Sequence, residues 1–248
     1  METIYFLVQQ TMLFSIPLLL VALGGMFSER SGVVNIALEG IMIIGAFTGI
    51  FFISRFGNLF SPTITLFIAI IISALSGLIF SLLHAYASIN MSSDQVISGT
   101  ALNIFAPAFA IYVTRAIQVV QQISFVNNFR IESVPVLGNI PIIGNLLFKN
   151  AYITTYLGFI ILALSWFALY KTRFGLRLRS CGEHPQAADS VGINVYKMRY
   201  FGVAISGALA GIGGLVFVIP TSTNFNATVA GYGFLALAVL IFGQWKPM

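Results

Sequence analysis

Stretches free of Asp, Glu, Lys and Arg divide the chain into apolar runs of helix length. The first is 3–28, where Ile4–Phe27 is long enough for a span and Pro17 is placed to kink it. The second, Gly32–Phe52, is apolar apart from Asn35 and Glu39. A third begins near Pro62 and runs to about Ser88. The fourth opens at the capping sequence Ser92-Ser93-Asp94 and continues through Gln95–Thr114. Tyr152–Tyr170 is the fifth, and Tyr200–Ile219, closed by Pro220, the sixth. Gly231–Trp245 is short for a complete span and reads as tilted, re-entrant or cut off. A helix needs about 20 mostly apolar residues to cross the hydrocarbon. The pattern therefore predicts an all-α membrane protein: a polytopic helical bundle of about seven spans, forming one transmembrane domain over 1–248.

Charge orients that bundle. Six of the twelve Lys and Arg residues lie between Lys171 and Arg199. Positively charged loops stay cytoplasmic, so the 171–199 loop is placed inside. Threading the spans backwards puts the Glu29-Arg30 turn and the 89–94 turn inside too. Gly57, the 116–149 loop and the N-terminus then fall outside. The 116–149 loop is rich in Pro, Gly and Asn with little charge, and reads as an ordered extracellular cap. The N-terminus lacks the basic region and small-residue cleavage site of a removable signal.

Composition removes other classes. With 58% hydrophobic residues, 8% charged and a mean hydropathy of +0.96, the chain is far from the roughly 25% charged residues of a soluble domain. The net charge of +5 is too small and too clustered for a nucleic-acid partner. A single cysteine, Cys181, leaves no disulfide framework and no multi-cysteine metal site. No Gly-Lys pair occurs, hence no phosphate-cradling loop, and no nucleotide cofactor is expected on this chain. His84 and His184 lack partners at metal-ligand spacing, and no Ser/His/Asp set sits at membrane depth. An enzyme is not expected.

Four sets of residues remain. Gly207/Gly211 and Gly45/Gly49 are small-xxx-small pairs that favour close helix contacts. Asn35 and Glu39 are four apart, which would put them on one helix face. A carboxylate within a span costs several kcal/mol unless it meets a partner or water. Glu39 is therefore either part of a substrate path, gate or latch, or it pairs with Arg30 or hydrogen-bonds a neighbouring helix terminus. On the fourth span, Gln95, Ser98, Thr100 and Asn103 suit substrate contact or interhelical hydrogen bonds equally. Finally, Pro185–Val191 within the basic loop suits a short helix, with Pro in its first turn, Ala187 and Ala188 behind it, and Gly192 as terminator. Two alanines offer a close-packing face for a partner's groove. The alternative is a charged connector held by anionic lipid.

The run Ala187-Ala188-x-x-x-Gly192 resembles the coupling motif of importer permeases of the ABC superfamily, with Gln186 where that motif prefers Glu. Gly192-Ile193-Asn194-Val195 and Ile205–Gly211 are similar to the branch serving branched-chain amino acids, simple sugars and nucleosides. Glu29–Gly40 and Asp94–Asn103 look like its nucleoside-importing members. The resemblance covers essentially the whole chain. It implies a permease in the bacterial plasma membrane that pairs with a second, homologous permease as a heterodimer. It also implies a cytoplasmic ABC ATPase carrying ATP and Mg, and an extracytoplasmic lipoprotein that delivers substrate. Carried onto this sequence, Gly182, Glu183, Pro185, Ala187, Ala188, Gly192 and Ile193 would form the ATPase-coupling segment. Asn35, Glu39, Gln95, Ser98 and Asn103 would line the translocation path. Sugar and amino-acid permeases share part of the pattern and are the alternative substrate classes. A stand-alone secondary transporter is a further alternative, but it needs ion-coupling carboxylates or inverted repeats; one mid-span acid and no visible repeat occur. A structural or assembly protein is the last. Family members continue past the equivalent of Phe242–Pro247 with further membrane segments, so the resemblance implies a chain truncated at its C-terminus.

Overall fold

The computed structural model describes residues 2–126, 129–133 and 149–247. Much of the 116–149 loop expected as an extracellular cap lies outside the described residues. In chain order the elements are α1 (Glu2–Glu29), α2 (Leu38–Phe56), α3 (Pro62–Ala85, prolonged by a π-helical turn over Tyr86–Asn90) and α4 (Gln95–Gln118). Short strands β1 (Ile123–Ser124), β2 (Arg130–Ser133) and β3 (Lys149–Tyr152) follow. Then come α5 (Ile153–Lys171), α6 (Arg173–Glu183), α7 (Pro185–Ser190), α8 (Val195–Thr221), β4 (Asn224–Phe225) and α9 (Tyr232–Phe242). Among the described residues, α1, α2, α3 with its extension, α4, α5 and α8 are long and apolar enough to cross a membrane.

The bundle is built around α8. It packs on α1, α2 and α3, and 83% of its apolar stretch is buried, against 72% for α2 and 22% for α4 and α5. Between apolar helices in lipid, close approach and hydrogen bonds rather than water exclusion drive packing. The small residues of α8 supply that approach on three sides. A side chain at Gly211 would overlap the Ser73 carbonyl of α3, and one at Gly45 of α2 would overlap Gly211 itself. Gly207 faces Ser81 and Gly77 of α3, Gly213 faces Val21 of α1, and Gly49 backs onto Ser73 and Leu215. Hydroxyls stitch the same contacts: Ser73 Oγ donates to the Gly45 carbonyl at 2.8 Å and Ser81 Oγ to that of Val203 at 3.2 Å. The glycines that read as two separate pairs in sequence converge on one junction.

Two segments depart from the expected spans. The second span was expected to begin at Gly32, yet α2 starts at Leu38 and 30–37 is non-helical. Gly32 adopts φ +90, a left-handed conformation that ends the helical path. The hydroxyls of Ser28 and Ser31 donate to the carbonyls of Val33 (2.7 Å) and Ser28 (2.6 Å), holding the turn. Asn35 thus precedes the helix and shares no helix face with Glu39.

The second departure is α9. Its 11 residues rise only about 16 Å, half the roughly 30 Å of hydrocarbon. Its first ring, Tyr232, lies 4.1 Å from that of Phe217, one turn short of the end of α8. Gly233 backs onto the Cα of Glu39. At its other end Trp245 reaches Glu29 and Arg30, where α1 ends. The segment is therefore a half-span, entered from the end of the bundle opposite α6 and α7 through a non-helical stretch that begins at β4. There β4 pairs antiparallel with β1, Phe225 opposite Ile123. Beyond the strand Ala227 and Ala230 turn into left-handed backbone, φ 52 and 54; Phe225, Ala227 and Val229 are buried, while Asn224, Asn226, Thr228 and Ala230 are exposed.

The expected basic loop carries more structure than the single short helix read from sequence. Thr172 caps α6, accepting from Gly175 N at 3.2 Å, and the chain then turns into α7 at Pro185.

Candidate functional site

Two constructions carry the candidate residues: the break at 30–37 with the start of α9, and the α6–α7 elbow.

Irregular backbone at membrane depth survives only where protein or water satisfies its polar groups. Around the break, side chains from three helices do so. Val34 N donates to Gln95 Oε1 at 2.8 Å. The Val34 carbonyl meets His84 Nε2 at 3.0 Å. A carbonyl only accepts, so Nε2 carries the proton and Nδ1 accepts from Ser98 Oγ, also at 3.0 Å. Asn103 spans the entry to α2: its Nδ2 donates to the Ile36 carbonyl (2.8 Å) and its Oδ1 accepts from Gly40 N (2.7 Å). Asn35 Nδ2 donates to Ser206 Oγ of α8 at 2.9 Å, and its Oδ1 accepts from Ala37 N at 3.2 Å.

Glu39 is 8% exposed. Its two oxygens accept from Gly231 N at 2.9 Å and Gly233 N at 2.6 Å. A carboxylate at a helix N-terminus satisfies unpaired N–H groups and meets the positive end of the helix dipole. Of the roles open to Glu39 in the sequence, the structure thus displays the bond to a neighbouring helix terminus, and Arg30 is engaged elsewhere. The capping sequence before α4 resolves to Asp94, whose Oδ1 accepts from Val96 N and Ile97 N at 2.7 and 3.1 Å. Ser93 instead donates to the Ala87 carbonyl. Thr100 bonds back into its own helix.

The elbow is built the other way, on an apolar plug. Leu178, Cys181, Ala188 and Met198 are buried together, with Phe174, Ile193 and Tyr170 around them. Burial pushes the Cys181 thiol up; the Arg199 charge and a hydrogen bond from Ser180 pull it back part of the way. At the end of α7, Gly192 N donates to the Asp189 carbonyl (2.9 Å) and Ile193 N to that of Ala188 (3.1 Å). With Gly192 at φ +83, this is a Schellman ending. The two alanines part company. Ala188 points into the plug at 3% exposure, while Ala187 is exposed beside Gln186, Asp189 and Val191, the last 73% exposed. Only Ala187 of the pair is exposed. Pro185 opens α7, Gly182 lies against the Arg30 carbonyl, and Glu183 is paired with Arg30 at 3.5 Å.

Sequence reasoning missed His84 and Ser206 as partners of the break, and α6 altogether. His84 carried a signal: a lone apolar-face histidine seeks a carbonyl or hydroxyl as readily as a metal. Among the described residues no His/Cys/Asp/Glu group is placed to hold a metal.

A bundle of membrane-length helices, a half-span seated against a broken helix and a structured basic elbow together define a polytopic membrane protein. The chain belongs to the family described as branched-chain amino acid transport system / permease component, whose model matches residues 7–248. It is 43% identical over 248 residues to the nucleoside ABC transporter permease protein NupC of Lactococcus lactis subsp. cremoris (strain MG1363), covering 100% of this chain and 78% of that protein. It is 45% identical to the guanosine ABC transporter permease protein NupQ of Bacillus subtilis (strain 168), over 98% of this chain and 76% of that one. The putative glucose ABC transporter permease protein TsgC13 of Haloferax volcanii is 30% identical, over 93% and 68%. No solved structure gives a significant match. The chain is a multi-pass protein of the bacterial plasma membrane and an ABC transporter permease component.

Proposed function

We propose that this chain is one of two permeases of an ATP-driven importer for nucleosides. The observation that carries the substrate class is the likeness, at 43% and 45% identity, to a nucleoside and a guanosine permease. A nucleoside is uncharged and offers hydrogen-bonding groups around an apolar base. Amides suit it. Beside the His84 imidazole and the Glu39 carboxylate, the polar residues of the break and of α4 include the amides Asn35, Gln95 and Asn103 and the hydroxyl of Ser98. The path runs beside the break and the half-span α9, with Asn35, Glu39, Gln95, Ser98 and Asn103 shaping its wall. Gln95, Ser98 and Asn103 keep partly exposed side chains there. Substrate held this way is passed on, since no dense site retains it.

The elbow faces the cytosol and docks on an ABC ATPase, which holds ATP and Mg; this chain supplies no nucleotide site. The α7 face of Ala187 enters the ATPase groove while Ala188 anchors the helix, and Gly182, Glu183, Pro185, Gly192 and Ile193 set its angle. A second homologous permease completes the path, and an extracytoplasmic lipoprotein delivers the nucleoside from the opposite end.

The test is uptake by native membrane vesicles with and without the intact gene. Its disruption should abolish ATP-dependent uptake of labelled guanosine and leave glucose and leucine uptake unchanged. Loss of glucose uptake with guanosine uptake retained would move the assignment to the sugar permeases.

A further inference from the structure

At the end of the bundle that carries the elbow, one side chain touches both the elbow and the end of the half-span. Arg30 Nη1 lies 3.5 Å from Glu183 Oε1, on the last residue of α6 before α7. The same guanidinium donates through Nη2 (3.0 Å) and Nε (3.3 Å) to the carbonyl of Trp245, just past α9. The Trp245 indole N–H donates to Glu29. Gln244 and Trp245 take up left-handed backbone, φ 51 and 55, which turns this carbonyl towards Arg30. A side chain at Gly182 would overlap the Arg30 carbonyl, so the end of α6 and the 30–32 turn lie backbone to backbone. Between these parts opens a cleft of about 310 Å³, into which Arg179 also faces.

We infer that Arg30 is a positioning residue that ties the coupling elbow to the half-span, delivering movement of α7 to the mid-membrane end of α9. The inference rests on the ATP-driven reading above. α9 is a short rigid rod clamped at both ends by the α1–α2 connection: Glu39 holds its first N–H groups, and Glu29 and Arg30 hold its last residues. A push on Glu183 passes through Arg30 into the rod rather than into loose loop. The planar guanidinium fork lets one residue serve both partners at once, which a lysine ammonium does poorly. Arg30 is half-buried, 25% exposed, but Glu183 is open to water at 68%, and an ion pair with a solvated partner contributes little to folding. Breaking it therefore perturbs coupling more than stability.

The experiment uses the assembled importer in proteoliposomes, reading guanosine transported per ATP hydrolysed. Arg30→Gln should lower that ratio about tenfold with basal hydrolysis changed less than about twofold, and Arg30→Lys should fall between. This chain, as Trp166→Phe, carries 5-hydroxytryptophan so that residue 245 is excited apart from the tryptophans of the other subunits. Its emission should respond to trapping the ATPase with ATP and vanadate, and Arg30→Gln should erase the response. A wild-type ratio with an intact Trp245 response in Arg30→Gln overturns the inference. If that variant fails to accumulate, Glu183→Gln cuts the elbow arm alone. The same fall is expected there, and an unchanged ratio is equally fatal. Failure of the importer reading itself shows earlier and elsewhere, as a wild-type assembly whose ATP hydrolysis ignores guanosine.

Discussion

The break and the elbow are both interruptions of a helical bundle, and they are held by opposite chemistry. At the break, Val33 O, Val34 N, Val34 O, Ile36 O, Ala37 N and Gly40 N each meet a side chain. At the elbow, an apolar plug of Leu178, Cys181, Ala188 and Met198 does the holding, and the outward polar groups of α7 are exposed. The difference follows from the solvent each must do without. Val34 reaches the surface at 41% exposure, but at the buried Val33, Ala37 and Gly40 an orphaned backbone group finds little water, so each partner there is costly to lose. At the basic end water replaces a lost polar partner, but nothing replaces a lost apolar contact.

The largest effect should come from Glu39→Ala. It strips a charged acceptor from two N–H groups at the start of α9, at about 1.5–3 kcal/mol each. Purified protein should lose that much in a denaturant titration and show protease cleavage within 226–233. Asn103→Ala comes next, leaving the Ile36 carbonyl and Gly40 N–H unpaired at about 1–3 kcal/mol each. Glu39→Gln should rank below it, because one oxygen still accepts. Ala188→Glu pushes a carboxylate into the elbow plug. The surface is near, so a cost of about 1–3 kcal/mol is expected, together with loss of ATP-driven uptake. Ala187→Glu, one residue away, should leave the denaturation midpoint unchanged yet also abolish uptake. Equal destabilisation by the two would erase the distinction between anchor and docking face. The smallest effect is kinetic. With the Cys181 thiol raised by burial, less thiolate is present at a given pH. Maleimide labelling should be slower than for free cysteine, with its pH profile displaced upward, until urea opens the plug.

Much of the architecture was legible because hydropathy reports length and polarity directly. The span-length helices, the short α7 with its Gly192 ending and the smallness of Gly45, Gly207 and Gly211 all follow from local chemistry. The break was not legible, since Val33, Val34, Ile36 and Ala37 are as apolar as a helix continuing through them. Gly32 and the Ser28/Ser31 turn end the helical path locally, but what holds 33–37 out of a helix are mostly partners 50 to 171 residues distant, from His84 to Ser206. Glu39 was ambiguous for the same reason: its partners, Gly231 and Gly233, offer only backbone. The parting of Ala187 from Ala188 depends on how α7 sits over Cys181 and Met198, which spacing alone does not set.

The most direct trial of the account replaces α7, residues 185–190, by a Gly-Ser stretch of equal length and measures guanosine entry into proteoliposomes holding the full assembly. ATP-dependent accumulation should occur with the native chain and vanish with the replacement, while the variant still sits in the membrane with its partner permease. Accumulation by this chain without ATPase or ATP, or undiminished by loss of the helix, would contradict it.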